Sequence, residues 1–225
     1  MIFFITAAAL LLVSIYLALM YAPDATSFSA PKAQRIFYFH VPMAWVSYLA
    51  FGIVFVASLV ILYKNDPRFG CVAYCSAEIG VVFCTLAIVT GMIWGKAEWG
   101  AYWRFEDTRL TVTFILWLIY LAYLMLYQGI DNPEKRGRLT AVFGIMGFIT
   151  VPLSYISALI WASLHPMPVA KGTISTVMLS ILIVAVISFT LLFLAMFLKR
   201  VQIERLRVDL EDLRDELGGV DNDKW

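Results

Sequence analysis

The two histidines of this 225-residue chain, His40 and His165, are its rarest titratable side chains and have the widest chemical range. An imidazole moves protons near neutral pH and ligates metal centres through either ring nitrogen. Taken singly, each histidine reads as a hydrogen-bonding or capping residue. Each stands beside proline, in His40-Val-Pro42 and His165-Pro-Met-Pro168, which restricts the backbone and favours fixed placement. The tryptophans form the second unusual set. Trp94, Trp99 and Trp103 fall within ten residues, separated by Gly95 and Gly100, whereas Trp45, Trp117, Trp161 and Trp225 stand apart. Isolated tryptophans near span ends fit an interfacial aromatic belt. The cluster reads instead as a shaped apolar platform for a large flat ligand.

The elements that position these residues follow from composition. The chain is 62% hydrophobic and 15% charged, against roughly 45–50% and 25% in soluble domains. That excludes an ordinary soluble domain and a disordered tail. A net charge of +1 leaves no basic excess for nucleic acid. Apolar runs of about 20 residues suffice to cross a bilayer, and six are present, near 1–22, 39–63, 71–93, 110–128, 139–161 and 174–198. Period-two alternation is absent, so backbone amides in hydrocarbon are satisfied by helices. The expected fold is an all-α integral membrane protein: a six-transmembrane-helix bundle over residues 1–198, followed by a charged amphipathic cytoplasmic tail over 199–225. The first run lacks a positively charged leader region and a clear cleavage site, and is read as retained.

Lys and Arg concentrate inside. With both termini cytoplasmic, the inner segments hold Lys64, Arg68, Lys135, Arg136, Arg138, Lys199, Arg200, Arg205, Arg207, Arg214 and Lys224, and the outer ones Lys32, Arg35, Lys96, Arg104, Arg109 and Lys171. Both histidines and the tryptophan cluster then share the outer face of a cytoplasmic (inner) membrane. On the third span Cys71, Cys75, Glu78, Val82 and Thr85 share one helix face. They read as a bundle seam with Glu78 protonated or hydrogen-bonded, or as a proton-handling site. The cysteines form neither C-x-x-C nor C-x-x-C-H, which excludes the usual thiol oxidoreductase and covalent haem-attachment motifs. Ile203, Leu206, Leu210, Leu213 and Leu217 in the tail are spaced three and four apart, as in an amphipathic surface helix or a docking helix. No G-x-x-x-x-G-K-[ST] occurs, so any ATP is hydrolysed by another chain.

The stretch Trp94-Gly-Lys-Ala-Glu-Trp-Gly-Ala-Tyr-Trp-Arg-Phe-Glu-Asp-Thr-Arg-Leu-Thr111 resembles the WWD signature of the haem-handling proteins of cytochrome c maturation, W-G-x-x-x-W-G-x-[WY]-W-x-W-D-x-R-L-T. Trp94, Gly95, Trp99, Gly100, Trp103, Asp107, Arg109, Leu110 and Thr111 match. The segment Trp103–Asp107 is one residue longer than W-x-W-D, and Glu106 stands where the family has Trp, with Phe105 the nearest aromatic. Within that family the resemblance is closest to haem exporter protein C (CcmC). It extends to Arg35-Ile-Phe-Tyr-Phe-His40-Val-Pro42, similar to R-I-x-Y-x-H-V-P at the second span, and to Leu164-His165 after the fifth. The resemblance implies a haem carrier rather than an enzyme, passing haem b as cargo to the haem chaperone CcmE, with the ATP-binding-cassette pair CcmA and CcmB and the small CcmD as companions.

Site roles follow from this chemistry. Six-coordinate haem iron takes two axial ligands, and His40 and His165 are the pair available. Trp94, Trp99 and Trp103 would supply the platform, with Phe105 as a further aromatic face. Arg109 and Arg35 suit the two propionates through bidentate forks, or are snorkelling interfacial cations. Gly95, Gly100 and Asp107 are expected to be structural, Asp107 as an N-cap at the fourth span. A b-type cytochrome subunit in quinone-linked electron transfer, and a non-haem permease, are the alternatives from other classes.

Overall fold

The computed structural model describes residues 2–25, 28–64, 68–161, 163–166 and 174–222, with side chains for all of these except 2, 211–212 and 215–222. Helix dominates, and no strand occurs among the described residues. Helix α1 spans Ile2–Tyr16 and continues as a wider π turn at Leu17–Tyr21. A 3-10 turn at Ala33–Ile36 leads into α2, Phe37–Lys64. Then follow α3 (Arg68–Trp99), α4 (Thr108–Gln128), α5 (Pro133–Phe148), α6 (Thr150–Ile160) and α7 (Thr176–Asn222). Six stretches are long and apolar enough to cross a bilayer, with α5 and α6 together forming the fifth. They match the six runs of the sequence in order. The protein is an all-α, multi-pass membrane protein.

Three boundaries differ from the sequence reading, each for a local reason. First, α3 does not stop near residue 93 but runs to Trp99. Lys96, Ala97 and Glu98 are good helix formers, and the helix ends only where Gly100 adopts a positive φ of 75°, a left-handed stop that glycine takes at little cost. Trp94, Gly95 and Trp99 therefore sit on a helix, not in a loop. Second, the fifth span breaks between Phe148 and Thr150. Pro152 carries no N–H for the Phe148 carbonyl, and its ring crowds that oxygen. Third, α7 passes residue 198 without interruption for 47 residues. At about 1.5 Å per residue it is about 70 Å long, more than twice the hydrocarbon thickness of ~30 Å. The tail is thus an extension of the last span. Ile203, Leu206, Leu210 and Leu213 are exposed along it, while the side chain of Leu217, and all of Lys224 and Trp225, lie outside what is described.

Helices α2 and α3 form the centre of the bundle. On one side Phe51 of α2 stacks on Tyr120 of α4 with ring centroids 3.6 Å apart, amid Ala73, Ala77 and Val81 of α3. A Cβ at Gly80 would lie 2.7 Å from the Phe51 ring, so glycine there lets the two helices close on each other. On the other side Val46, Ala50, Ile79 and Phe83 pack on Phe189 and Phe193 of α7, and α7 is tied to α1 by Ser188 Oγ donating to the Leu10 carbonyl at 3.1 Å. Glu78 is held in this frame as a partly buried ion pair. Its carboxylate meets Arg200 Nε of α7 at 2.7 Å and accepts from Tyr74 Oη at 3.0 Å, and Arg200 also bonds Glu204 at 2.7 Å. A counter-cation and a hydroxyl donor are what a carboxylate at that depth requires. Cys71, Cys75 and Cys84 are free and buried.

Candidate functional site

At the end of the bundle where α3 gives way to α4, an apolar cavity of about 170 Å³ opens between α2, α3, α4, α6 and the segment after α6. His40, Trp94, Trp99, Trp103, Arg109 and His165 all line it. The two imidazoles, 125 positions apart in sequence, have ring centroids 5.8 Å apart with planes inclined by 38°. Two imidazoles bonded to a single metal from opposite sides at about 2.0–2.1 Å would have centroids roughly 6 Å apart, a spacing close to the one seen here.

Each ring is held by its δ nitrogen. His40, in the first turn of α2, lies 2.9 Å through Nδ1 from the Ala87 carbonyl of α3 and 3.3 Å from Thr90 Oγ1. His165 Nδ1 lies 2.9 Å from the Pro166 carbonyl. A carbonyl only accepts, so the proton is assigned to Nδ1 in both rings and the lone pair to Nε2. Donation from one ring nitrogen to a carbonyl while the other stays free is the usual arrangement of ligating histidines. Desolvation holds the His165 pKa well below its ordinary 6.5, with Arg109 and His40 pushing in the same direction. A neutral imidazole is the form that ligates. Gly91 allows the fit around His40: a Cβ there would stand 3.1 Å from His40 Cε1 and 3.4 Å from Nδ1. Neither Gly91 nor the Ala87 carbonyl was singled out from the sequence, where a glycine inside an apolar run carries no mark of what it faces.

The tryptophans enclose the cavity as walls rather than as one flat platform. Trp94 and Trp99 meet edge to face at 5.2 Å and 83°, and Trp103 packs edgewise on Phe114 of α4 at 6.0 Å. Gly95 permits the Trp94–Trp99 contact, since a Cβ there would lie 3.1 Å from the Trp99 ring and 3.3 Å from the Ala101 carbonyl. The segment before α2 covers Trp94: Phe28 meets it edge to face at 5.8 Å, and Ser29 and Ala30 donate their amides to Glu98 at 3.0 and 2.9 Å. The indole nitrogens of Trp94 and Trp103 are buried and have no acceptor among the described residues. Trp45 and Trp161 are half exposed and do not line the cavity.

Two expected contacts lie elsewhere. Phe105 is 71% exposed and packs at 6.2 Å on Trp103 outside the cavity; Tyr102 lines it instead. The extra residue in Trp103–Asp107 forms a turn whose Asp107 amide bonds the Arg104 carbonyl at 3.2 Å. Arg35 does not line the cavity either. Its guanidinium donates to the Leu19 carbonyl at 2.6 Å and pairs with Asp24 at 3.6 Å, because the end of the first span leaves carbonyls that a cation satisfies well. Arg109 is on the cavity wall, donating to the Tyr155 carbonyl at 3.4 Å with its guanidinium 5.8 Å from the Tyr155 ring centroid. Asp107 is the N-cap of α4, accepting from the Leu110 amide at 3.2 Å. Lys171 lies outside the described residues.

The family model for haem exporter protein C matches residues 1–215. The chain belongs to the haem exporter protein C family. It is similar to the heme exporter protein C of Bradyrhizobium diazoefficiens, at 34% identity over 86% of this chain and 74% of that protein. It also resembles those of Rhodobacter capsulatus, at 32% over 82% and 77%, and Haemophilus influenzae, at 31% over 89% and 82%. The tryptophans of the WWD-like stretch and both histidines meet at this cavity, at one end of the bundle.

Proposed function

We propose that this protein is a membrane haem carrier of cytochrome c biogenesis, not an enzyme, that receives haem b as cargo and presents it for transfer to the haem chaperone CcmE. His40 and His165 hold the iron through Nε2, Trp94, Trp99 and Trp103 wall the macrocycle, and Arg109 meets a propionate. The observation that carries this reading is the pair of imidazoles 5.8 Å apart with both δ nitrogens engaged by carbonyls. A haem also fits the donors left over, because two buried indole N–H groups without acceptors among the described residues, beside a guanidinium, suit a carboxylate-bearing ligand. Arg35, engaged with Asp24 and the Leu19 carbonyl, is assigned no propionate in this reading.

The asymmetry of the two ligands suits a carrier. His40 rides on a long helix, whereas His165 belongs to the connection between α6 and α7. His165, which no helix carries, is taken as the ligand to exchange on delivery. The Lys and Arg distribution supports an inner-membrane orientation with both termini cytoplasmic and the cavity at the outer face. Without a nucleotide-binding motif, the chain works beside the ATP-binding-cassette pair CcmA and CcmB and the small CcmD.

The test is purification from haem-replete cells. A Soret band of low-spin, bis-imidazole haem is expected, converting to high-spin in either single His→Ala variant and vanishing in the double. A spectrum unchanged by His40→Ala and His165→Ala together overturns the ligand assignment. Loss of haem from the chaperone, with loss of c-type cytochromes in consequence, is expected in cells carrying the double variant.

A further inference from the structure

Asp107 does more than cap α4. It is 4% exposed, and its carboxylate gathers donors from two separate parts of the chain. One is the Leu110 amide of its own helix, at 3.2 Å. The others come from the segment after α6: Ser163 Oγ, 3.0 and 2.9 Å from the two oxygens, and the Leu164 amide, at 2.7 Å. Ser163 Oγ in turn accepts from the His165 amide at 3.1 Å. A short charge-assisted chain thus runs from the start of α4 through Ser163 to the backbone of His165. It joins the WWD segment to a residue 58 positions further on.

We infer that Asp107 is the positioning residue of His165, a carboxylate clamp that makes the tryptophan-bearing segment and the second imidazole move as one body. Only a carboxylate fits the three donors, because both of its oxygens accept. An asparagine turns its NH2 toward either the Leu110 amide or the Leu164 amide, so it keeps the cap or the Leu164 bond but not both. Burial strengthens the clamp, since a carboxylate hidden from water has no other partners to fall back on. The connection after α6 gains a fixed point next to its histidine, and a disturbance of residues 100–107 reaches His165 through one side chain. The inference rests on reading His165 as an axial ligand.

The experiment uses the full-length protein in detergent with haem added, comparing Asp107→Asn and Ser163→Ala with wild type. Ser163→Ala leaves the α4 cap intact and removes only the link to His165. Asn132→Ala, which removes the N-cap of α5 bonded to Lys135 at 2.9 Å, controls for loss of a helix cap as such. Both clamp variants are expected to convert low-spin haem toward a high-spin form that added imidazole reverses. In the haem-free protein Asp107→Asn is expected to exchange the Leu164 amide, and Ser163→Ala the His165 amide, at least tenfold faster. Asn132→Ala is expected to change none of these readouts. Wild-type spectra and wild-type exchange of both amides in the clamp variants overturn the clamp, while a high-spin His165→Ala protein leaves the ligand assignment standing. If His165→Ala leaves the spectrum unchanged, the ligand assignment falls, and amide exchange alone decides the clamp.

Discussion

Gly91→Ala separates haem ligation from folding. The added Cβ would sit 3.1 Å from His40 Cε1 and 3.4 Å from Nδ1, so the imidazole must retreat by a few tenths of an ångström. It cannot do so freely, because its Nδ1 is tied to the Ala87 carbonyl at 2.9 Å on the same helix as the new methyl. Weakening that bond costs about 0.5–1.5 kcal/mol, while alanine in place of glycine inside α3 returns about 0.5–1 kcal/mol. The two nearly cancel, so the midpoint of thermal unfolding is expected to stay within about 4 °C of wild type. Ligation has no such compensation. Loss of the group that orients a ligating histidine typically weakens binding about 10- to 100-fold. Haem titration followed at the Soret band, run beside thermal unfolding of the same preparations, reads both quantities. Wild-type haem affinity together with a wild-type spectrum would refute the claim that α3 aims His40.

Three further outcomes follow from the same geometry. Arg109→Ala is expected to lose the preference of the wild-type protein for haem over its dimethyl ester, because the removed fork is the proposed cationic partner of a propionate; competition binding with the two porphyrins measures it. Glu78→Gln leaves Arg200 of α7 with a weaker partner than the carboxylate at 2.7 Å and is expected to lower stability by about 1–3 kcal/mol with haem affinity unchanged, as read by thermal unfolding and titration. In the haem-free protein the unfolded chain takes up a proton at His165 near pH 6.5 whereas the folded chain resists it to well below that value, so stability falls as pH drops below about 6.5. His165→Gln is expected to flatten that dependence, as measured by unfolding in detergent between pH 5 and 8.

Much of the bundle was legible because hydrocarbon imposes a simple rule on sequence: a run of about 20 apolar residues, helical throughout. The gathering of tryptophans around the end of the third span was legible for a related reason, since clustering needs no partner to be seen. The N-cap role of Asp107 is likewise a local matter of a carboxylate beside free amides. Contacts between side chains and other elements were not legible. Arg35 and Arg109 are the same side chain near the same membrane face, and only the neighbours that the fold supplies, Asp24 and Leu19 for one and the cavity for the other, separate them. Glu78 reads from sequence as an expensive lone carboxylate, and its partner Arg200 stands 122 residues away on α7.

The sequence by itself determined the solvent of this protein, the number of its spans and the chemical kinds available at one end, because hydropathy and residue type act over one or two helical turns. Only the tertiary structure decided that His40 and His165 lie 5.8 Å apart with both δ nitrogens against carbonyl oxygens, that Gly91 gives His40 room, and that Asp107 reaches across to the segment of His165. Those relations are set by which helices pack together, and packing partners are chosen by the shape of whole faces rather than by any short stretch of the chain.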